Sequence, residues 1–477
     1  MVCGTTSGAG KSFLATALAR WYARAGYRVA PFKAQNMSNN ARVVDGGEIG
    51  SAQYFQALAA GCAPDVRMNP LLLKPETDLR SQVILLGERN DALGATEWRA
   101  RSALVWPTIS RCLEELLDEY DVVVIEGAGS PAEINLQASD VVNMRVAEFA
   151  SAATLLISDI YRGGAFAHLY GTYQLLPPRQ QALIRGFVLN KFRGDAGLLA
   201  PGPQQLEGLT GVPTLAVLPM WRGHGLPEED GVFDAPAGGS GPRVVIVAYP
   251  QISNLDEFTP LARVAGIALR WARDAAAVAA ADVLILPGSK QVAADLAWLR
   301  RSGIAALIDA HARAGKPLLA ICGGLQLLGA EVCDPHGVEG AAAGLGLLPY
   351  ATEMQAKKRH HRGRYTLGAT TGFWAPLAGV EFDAYEIRHG RTTPRANGGG
   401  APPLVPVLAE DCGWQCGATL ALYVHGMFEC PAVLRALFGR DTPTLEDTLN
   451  GLADFVDSGF APGALAGLLE APPAPLR

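Results

Sequence analysis

Short runs of apolar residues alternate with longer helical patterns along the first 220 residues of the chain. Runs rich in β-branched residues occur at positions 28–32, 122–125, 154–158 and 186–189, and each has a length typical of a buried strand. Strands that alternate with helices predict a parallel sheet with helices packed on its faces. We therefore expect the first half of the chain to form a doubly wound α/β domain.

The α/β pattern stops once and then restarts. Glycine and proline interrupt every candidate element between residues 221 and 243, as is typical of a linker. Further apolar runs follow at 244–248, 283–286 and 317–321, and they predict a second doubly wound domain with a mainly parallel sheet. The expected organisation is a first domain over residues 1–225, a linker over 226–242, a second domain over 243–437, and a helical extension with a tail over 438–477.

Composition narrows the classes of partner. Hydrophobic residues make up 49% of the chain and charged residues 18%, which indicates a packed globular protein. The net charge of -6 leaves no global positive field to attract nucleic acid or an anionic membrane surface. The sequence contains neither a long apolar run for a spanning helix nor the pattern of a signal peptide, so we expect a cytoplasmic protein. Its eight dispersed cysteines are typical of reduced thiols.

A glycine-rich segment at the N-terminus, G-T-T-S-G-A-G-K-S, has the composition of a phosphate-binding loop. Its glycines let backbone N–H groups face an anion, Lys11 supplies a positive charge, and the Ser12 hydroxyl can bind Mg²⁺. The alternative is a glycine-rich turn that binds nothing. Only three residues precede Gly4, so we expect a short first strand, and whether the natural N-terminus lies further upstream stays open.

Polar residues follow two of the predicted strands. Glu126 comes directly after V-V-V-I, at the carboxyl end of a strand, where ligands of α/β proteins bind and where a carboxylate can hold Mg²⁺ on phosphates. Lys33 ends the run at 28–32 and is followed by amides in Q-N-M-S-N-N. A solvated glutamate and an ordinary polar loop are the alternatives. The next segment, D-G-G-E-I-G-S-A-Q, adds two carboxylates, those of Asp45 and Glu48.

The second domain contains a different signal, at Cys322. In P-L-L-A-I-C-G-G-L-Q-L-L-G an apolar strand ends at Cys322, and two glycines and a helical stretch follow it. This order is typical of a nucleophile elbow, here with cysteine in place of serine. The helix N-terminus favours a thiolate, and the amide of Gly323 is placed to stabilise an oxyanion, with a second donor expected from Gly288. A buried, inert cysteine is the alternative.

A nucleophilic thiolate needs a base, and His425 is the candidate. It ends an apolar strand in A-L-Y-V-H-G-M-F, although a lone histidine at such a place is often structural. Glutaminases with a Cys–His–Glu triad generally place the glutamate two residues after the histidine. Here that position is Met427, and Glu429 is too far along the chain to be assumed equivalent. The sequence therefore leaves the group that orients His425 open.

Taken together, these motifs resemble the cobyric acid synthase family, the glutamine-dependent amidases of cobalamin biosynthesis, over nearly the whole chain. The segments that carry the resemblance include G-T-T-S-G-A-G-K-S, F-K-A-Q-N-M-S-N-N, E-G-A-G-S-P-A-E-I-N-L, I-C-G-G-L-Q-L-L-G and Y-V-H-G-M-F. The resemblance implies a P-loop NTPase-like synthetase domain of the dethiobiotin synthetase type. It also implies a flavodoxin-like glutaminase domain.

The reaction implied by this resemblance is an amidation that needs ATP, Mg²⁺ and L-glutamine. Its substrate would be a corrinoid, adenosylcobyrinic a,c-diamide, amidated at its b, d, e and g carboxylates through acyl phosphates and ammonia. Whether the protein forms a homo-oligomer stays open. From the motifs and the resemblance together, the expected site residues are Cys322 and His425 for catalysis, Gly323 and Gly288 for the oxyanion hole, Thr6, Gly8, Gly10, Lys11, Ser12 and Lys33 for ATP, Ser12, Glu126, Asp45 and Glu48 for the metal, and Gln35, Asn36, Asn39, Asn40 and Gln53 for the corrinoid.

Three other functions are compatible with parts of the pattern. Cobyrinate a,c-diamide synthase shares the two-domain layout but resembles this chain less at Q-N-M-S-N-N. Another amidoligase of the same architecture would act on a different acid. A partition-type ATPase is disfavoured because those proteins carry an extra lysine at the position of Thr6, and because such a function leaves Cys322 unexplained.

Overall fold

The computed structural model describes residues 1–77, 80–227, 241–395, 402–409 and 411–470. Most of the expected linker and the expected tail lie outside these residues. The predicted strand at 122–125 is confirmed with the same bounds, and so is the one at 283–286. The other predicted strands are confirmed to within three residues at either end.

The first domain is built on six parallel strands in the order β2-β9-β1-β10-β11-β12, where an isolated bridge from Val2 to Glu126 joins β9 to β1. The strands of this domain are β1 (Val2–Gly4), β2 (Val29–Phe32), β3 (Gln35–Met37), β4 (Ala41–Val44), β5 (Gly47–Gly50), β6 (Leu71–Thr77), β7 (Arg80–Leu85), β8 (Glu88–Arg89), β9 (Val122–Ile125), β10 (Thr154–Asp159), β11 (Ile184–Phe192) and β12 (Thr214–Pro219). Its helices are α1 (Lys11–Arg24), α2 (Ser51–Ala60), α3 (Asp91–Gly94), α4 (Trp98–Glu119), α5 (Met144–Phe149), α6 (Ala165–Leu175), α7 (Pro178–Gln181) and α8 (Gly202–Thr210).

Strand β1 is only three residues long, as its sequence indicated, yet all three of its residues are buried. Two smaller sheets extend the domain to one side. One has the order β3-β6-β7-β8, and the other is the antiparallel hairpin of β4 and β5. This hairpin carries residues 41–50 away from the central sheet and onto the second domain.

The second domain has a seven-stranded sheet in the order β15-β13-β16-β18-β25-β24-β23, and its first five strands are parallel. Its strands are β13 (Arg243–Val247), β14 (Ile252–Ser253), β15 (Ala268–Ala272), β16 (Val283–Leu286), β17 (Gly288–Ser289), β18 (Leu318–Ile321), β19 (Glu331–Cys333), β20 (Ala342–Ala343), β21 (Tyr350–Thr366), β22 (Glu381–Pro394), β23 (Val405–Leu408), β24 (Gly413–Cys416) and β25 (Thr419–Leu422). Its helices are α9 (Ala275–Ala279), α10 (Val292–Arg301), α11 (Ile304–Arg313), α12 (Gly323–Leu328) and α13 (Pro431–Phe438).

The central strands of this sheet are apolar along their whole length. In β16, with the sequence VLIL, and β18, with LLAI, every residue is buried, because helices cover both faces of a parallel sheet. The long antiparallel hairpin of β21 and β22 stands beside the sheet and faces the first domain. The architecture is therefore two mainly parallel α/β domains, as the sequence predicted.

The C-terminal extension is helical and returns to the first domain. It consists of α14 (Leu445–Gly459) and α15 (Ala464–Gly467). Thr444 and Asp447 form a capping box that satisfies the free N–H groups at the start of α14. The apolar face of α14, with Leu452 and Val456, is buried against Leu14 and other residues of the first core. Among the described residues, no helix is both long and apolar enough to cross a membrane.

Candidate functional site

The glycine-rich loop between β1 and α1 has the backbone of a phosphate-binding turn. Gly8 and Gly10 adopt φ angles of 71° and 103°, in the left-handed region that favours glycine. Asn190 on β11 donates from Nδ2 to the carbonyl oxygen of Ala9 at 2.9 Å, which fixes the loop to the sheet. The loop thus leads directly into the N-terminus of α1, where free N–H groups favour an anion.

Lys11 provides the positive charge of this loop. Its Nζ donates to the carbonyl oxygens of Thr6 and Gly129, each at 3.1 Å, so the side chain spans the loop and the turn after β9. Thr6 therefore meets Lys11 through its backbone, and its side chain is not among those lining the adjacent cavity. Because Lys11 is 8% exposed, its charge acts in surroundings that screen it weakly.

Glu126 lies at the carboxyl end of β9 and is fully buried among three hydrogen-bond donors. Its Oε1 accepts from Ser12 Oγ and from Lys33 Nζ, both at 2.8 Å, and its Oε2 accepts from Gln56 Nε2 at 2.5 Å. Burial opposes ionisation of this carboxyl, but the charge of Lys33 and the hydrogen bonds from Lys33, Gln56 and Ser12 together outweigh burial and lower its pKa. Glu126 is therefore a carboxylate at neutral pH.

The oxygen atoms of Ser12 and Glu126 fit a magnesium ion. The two atoms are 2.8 Å apart beside the phosphate loop, and hard oxygen ligands are those that Mg²⁺ prefers. Lys33 shares the same carboxylate oxygen, so a bound cation would compete with its ammonium group. This donor set suits a metal that is bound mainly through phosphates and water, with one or two protein ligands.

A cavity of about 720 Å³ opens in front of the loop and the Glu126 cluster. It is large enough for a nucleotide together with part of a second substrate. Gln35 and Asn36 line it next to Lys33, so three of the predicted ligand-binding residues meet the phosphate loop here. Other lining residues were not predicted from the sequence: Trp98, Gln137, Asn143, Arg162, Asn190, Lys191, Trp221 and His224.

Two of the predicted metal ligands do not reach this cavity. Glu48 on β5 is fully buried and forms ion pairs with Lys74 and with Lys358 of the second domain, the latter at 2.9 Å. Asp45 is exposed in the turn of the β4–β5 hairpin. Within the part of the chain that the structure describes, no group of three or more His, Cys, Asp or Glu side chains could hold a metal ion. The prediction that Asp45 and Glu48 bind the metal is therefore wrong, because the β4–β5 hairpin holds both away from Glu126.

Three of the predicted corrinoid residues are also placed elsewhere. Gln53 is buried beneath the cavity, where its Oε1 accepts from Asn36 Nδ2 at 3.2 Å. Asn39 is half-buried and is not among the residues that line the cavity. Asn40 contacts the second domain, because its Oδ1 accepts from the backbone N–H of Leu255 at 3.0 Å. The amide cluster therefore divides between the cavity and the domain interface.

Cys322 forms the sharp turn that its sequence predicted. It stands between β18 and α12 with φ 50° and ψ -106°, a strained conformation for a residue with a side chain. Its N–H donates to the carbonyl oxygen of Leu422 on β25 at 2.7 Å. The following glycine is required by space, since a Cβ on Gly323 would lie 2.5 Å from the Ser289 nitrogen. The two segments expected to form an oxyanion hole are thus in contact.

His425 lies beside Cys322 and is oriented by Glu257. Its Nδ1 is 2.8 Å from Glu257 Oε1, while Glu257 Oε2 accepts from the Gly426 N–H at 2.9 Å. Burial alone would lower the pKa of His425, but the Glu257 carboxylate and Cys322 outweigh it and raise that pKa to about 10. At neutral pH the imidazole is therefore protonated. Cys322, His425 and Glu257 form a triad.

Charged residues surround the small cavity next to Cys322. Lys290, Lys358, Arg388 and Glu339 line it together with His425. Burial raises the pKa of Glu339 to about 7, although Lys290 and Lys358 act in the opposite direction. The two lysines and Arg388 offer positive charge to an anionic group next to Cys322.

Glu257 was missed by sequence reasoning, and so was Gln56. Glu257 is 168 positions away from His425 and lies in the short 3₁₀ turn Leu255–Phe258, outside any recognised motif. Glu429, which the sequence left open as a partner of His425, pairs with Arg42 at 2.5 Å. Met427 is fully buried in the core of the second domain.

Comparisons with known proteins agree with the two-domain description. Residues 1–224 match the family model described as CobQ/CobB/MinD/ParA nucleotide binding domain. Residues 243–433 match the model described as CobB/CobQ-like glutamine amidotransferase domain. Among solved structures, one named "Crystal structure of glutamine amidotransferase" has a TM-score of 0.30 and 20% sequence identity, and covers 44% of this chain and 98% of its own.

Curated relatives match along the whole length. A cobyric acid synthase of Polaromonas sp. (strain JS666 / ATCC BAA-500) is 57% identical over 498 aligned residues, which cover 99% of this chain and 98% of the relative. A cobyric acid synthase of Methylibium petroleiphilum is 60% identical and covers 98% of this chain and 96% of the relative. A third, from Variovorax paradoxus, is 59% identical with 98% coverage of both.

Proposed function

Because the chain belongs to the cobyric acid synthase family, we propose that it amidates the b, d, e and g carboxylates of adenosylcobyrinic a,c-diamide. ATP activates each carboxylate, and L-glutamine supplies the ammonia. One observation carries the proposal: a single chain holds a Cys322–His425–Glu257 triad and a phosphate loop with the buried carboxylate Glu126. A glutaminase and an ATP-dependent acyl-activating site are the two parts that such a ligase needs.

The triad would release ammonia from glutamine in two steps. The Cys322 sulfur attacks the side-chain amide carbon, and the carbonyl oxygen becomes an oxyanion that the amides of Gly323 and the 288–289 segment can stabilise. The imidazolium of His425 then donates its proton to the leaving nitrogen, which departs as ammonia and leaves a thioester. Water hydrolyses the thioester to glutamate and regenerates Cys322. Glu257 holds the imidazole throughout.

The synthetase domain would convert a carboxylate into a better acyl donor. The substrate carboxylate attacks the γ-phosphorus of ATP, ADP leaves, and an acyl phosphate forms. Ammonia then attacks the acyl carbon and inorganic phosphate leaves, so that an amide remains. Lys11 and Lys33 are placed to offset the negative charge of the transferred group. A magnesium ion held by Ser12 and Glu126 would neutralise the phosphates.

The corrinoid would enter the cavity in front of this loop. Gln35 and Asn36 line it, and neutral amides can hydrogen-bond both to carboxylates and to the amides that replace them. An enzyme that amidates four positions in turn needs such tolerance. Asn39, Asn40 and Gln53, which do not line the cavity, are not part of this proposed contact.

Purified protein, ATP, Mg²⁺, glutamine and cobyrinic a,c-diamide provide the test, with products identified by mass spectrometry. The proposal expects four successive mass changes that each correspond to one amidation. Amidation of cobyrinic acid at two positions, without activity on the diamide, would instead identify a cobyrinate a,c-diamide synthase. Activity on neither corrinoid would refute the proposal.

The Cys322→Ala variant separates the two halves of the reaction. It should lose glutamine-dependent amidation, because the thioester cannot form. With ammonium supplied at high pH it should still make the same amides, because ammonia from solution bypasses the missing step. Loss of the ammonia-dependent reaction in the folded variant would show that Cys322 acts in the synthetase chemistry.

A further inference from the structure

The turn that carries Glu257 is attached to the synthetase domain. We call residues Leu255–Phe258 the triad turn, since Glu257 is its third residue. At the start of the triad turn, the Leu255 N–H donates to Asn40 Oδ1 at 3.0 Å. Just before it, Asn254 Nδ2 donates to the carbonyl oxygen of Ala41 at 2.8 Å. Two consecutive residues of the glutaminase are thus hydrogen-bonded to consecutive residues of the other domain.

Arg42 adds ion pairs to this contact between the domains. Its Nε donates to Asp256 Oδ2 at 2.8 Å, and its guanidinium also pairs with Glu429 at 2.5 Å. Arg42 and Asp256 are both almost completely buried, so the pair is shielded from water and ions. Removing one partner of such an ion pair strongly destabilises the folded protein, because the other charge stays buried without a partner.

A second contact runs from Arg42 to the histidine itself. The guanidinium carbon lies 5.0 Å from the centre of the Tyr385 ring, and that ring stacks on His425 with centroids 5.3 Å apart and planes inclined by 22°. The Tyr385 hydroxyl accepts a hydrogen bond from Asn254 at 2.7 Å. His425 is therefore in contact with Glu257 and with Tyr385. Residues 40–42 contact the turn that carries Glu257, and Arg42 also contacts the Tyr385 ring.

The geometry points to a positioning role that rests on the proposed function. We propose that Asn40 and Arg42 of the synthetase domain position the triad turn, so that Glu257 orients His425 fully only while the two domains are docked. Glu257 uses both oxygens, on His425 Nδ1 and on the Gly426 N–H, so a displaced turn misplaces the imidazole directly. A misplacement of about 1 Å costs roughly 10²-fold in rate.

The same segment also reaches the ATP site. Lys33 pairs with Glu126, and Gln35 and Asn36 line the cavity. A few residues later in the same segment, Asn40 and Arg42 are hydrogen-bonded to the triad turn. A stretch of ten residues thus contacts the ATP site at one end and the residues that support the triad at the other. Glutamine hydrolysis would then require a correctly docked synthetase domain. A glutaminase domain that is not docked would release little ammonia.

The test compares Arg42→Met and Asn40→Ala with a matched control in the full-length protein. The control, Arg263→Met, removes another hydrogen bond between the second domain and the elements packed on the first, from Arg263 Nη1 to Thr448 Oγ1 at 2.7 Å. Glutamine hydrolysis and ammonia-dependent amidation of the a,c-diamide are measured separately. A melting curve confirms that each variant is folded, and Asn40→Ala serves if Arg42→Met does not fold.

We expect kcat for glutamine hydrolysis to fall by about 10²-fold in Arg42→Met and about 10-fold in Asn40→Ala, with KM for glutamine nearly unchanged. Ammonia-dependent amidation should stay within about twofold of wild type, and Arg42→Lys should recover part of the loss because it keeps the charge beside Asp256. The basic limb of the rate profile should move to lower pH in Arg42→Met, since a displaced Glu257 no longer raises the pKa of His425. Arg263→Met should hydrolyse glutamine like wild type.

Three results would overturn the inference. One is wild-type glutamine hydrolysis in a folded Arg42→Met or Asn40→Ala variant. Another is an equal loss in Arg263→Met, which would show a general effect of loosening the interface. The third is a higher KM for the corrinoid in Asn40→Ala with unchanged glutamine kinetics, which would show that Asn40 binds the corrinoid, as the sequence predicted. If wild-type protein hydrolyses no glutamine at all, the proposed function fails instead.

Discussion

Replacing Glu257 by glutamine tests the assignment of the triad most directly. Both carboxylate oxygens accept hydrogen bonds, from His425 Nδ1 at 2.8 Å and from the Gly426 N–H at 2.9 Å. A glutamine has only one acceptor oxygen, so its NH₂ group must face one of these two donors. The variant keeps the volume of the side chain but loses the negative charge and one of the two hydrogen bonds. The imidazole would turn or change its tautomer.

The magnitude follows from the task of His425. A positioned acid or base contributes about 10² to 10⁴ in rate, so we expect kcat for glutamine hydrolysis to fall by about 10³-fold, which corresponds to about 4 kcal/mol of transition-state stabilisation. The pKa of His425, raised to about 10 in the native protein, should fall towards its ordinary value near 6.5. The imidazolium would then lose its proton as the pH rises through about 7 rather than about 10. The loss of activity on the basic side of the pH–rate profile should therefore occur at lower pH.

The assay measures glutamate release between pH 6 and 10, with ammonia-dependent amidation as the control for folding. Glu429→Gln is the matched comparison, because Glu429 is the acidic residue nearest to His425 in sequence yet pairs with Arg42. Its effect should be well below that of Glu257→Gln, about tenfold or less. Glutamine hydrolysis at the wild-type rate in Glu257→Gln, or a larger loss in Glu429→Gln, would refute the assignment.

Two further predictions concern the synthetase domain. Lys11→Ala should lower amide formation by at least about 10²-fold with either glutamine or ammonia, because both routes need the activated carboxylate. Mass spectrometry of the corrinoid products measures the amount of amide formed. Turnover like that of wild type would exclude the loop from the ATP site. Gln35→Ala should raise KM for the a,c-diamide by about 2- to 10-fold, the value of one hydrogen bond, and leave KM for glutamine unchanged; steady-state kinetics with each substrate varied in turn would show the opposite pattern if Gln35 serves the glutaminase.

The strands and the nucleophile elbow could be predicted because their signals are local. Buried parallel strands appear as short apolar runs, and the segment before Cys322 was confirmed as β18 with the helix α12 behind it. Likewise Glu126 was expected at the end of its strand, and it lies there next to Ser12. In each case the residues that act together are adjacent in sequence or follow the same rule of sheet topology.

The partner of His425 could not be predicted for the opposite reason. Glu257 reaches it from 168 positions away, through a short turn after β14 that has no recognisable spacing. Asp45 and Glu48 were expected near Glu126 because they follow Lys33 closely in the chain. The hairpin of β4 and β5 carries them away, and Glu48 instead pairs with a lysine of the second domain. Sequence distance is a poor guide wherever a hairpin leaves the central sheet.

The return of the C-terminal helix to the first domain has a consequence for how the protein can be divided. Helix α14 covers part of α1, and its Leu452 and Val456 share a core with Leu14. A fragment cut after residue 227 would expose that apolar surface to water and would be prone to aggregate. The soluble unit for studying the ATP site alone would have to carry α14 as well, attached by a new loop in place of the glutaminase. In topological terms, the glutaminase is an insertion in the synthetase, because elements that precede it and follow it in the chain share the first core.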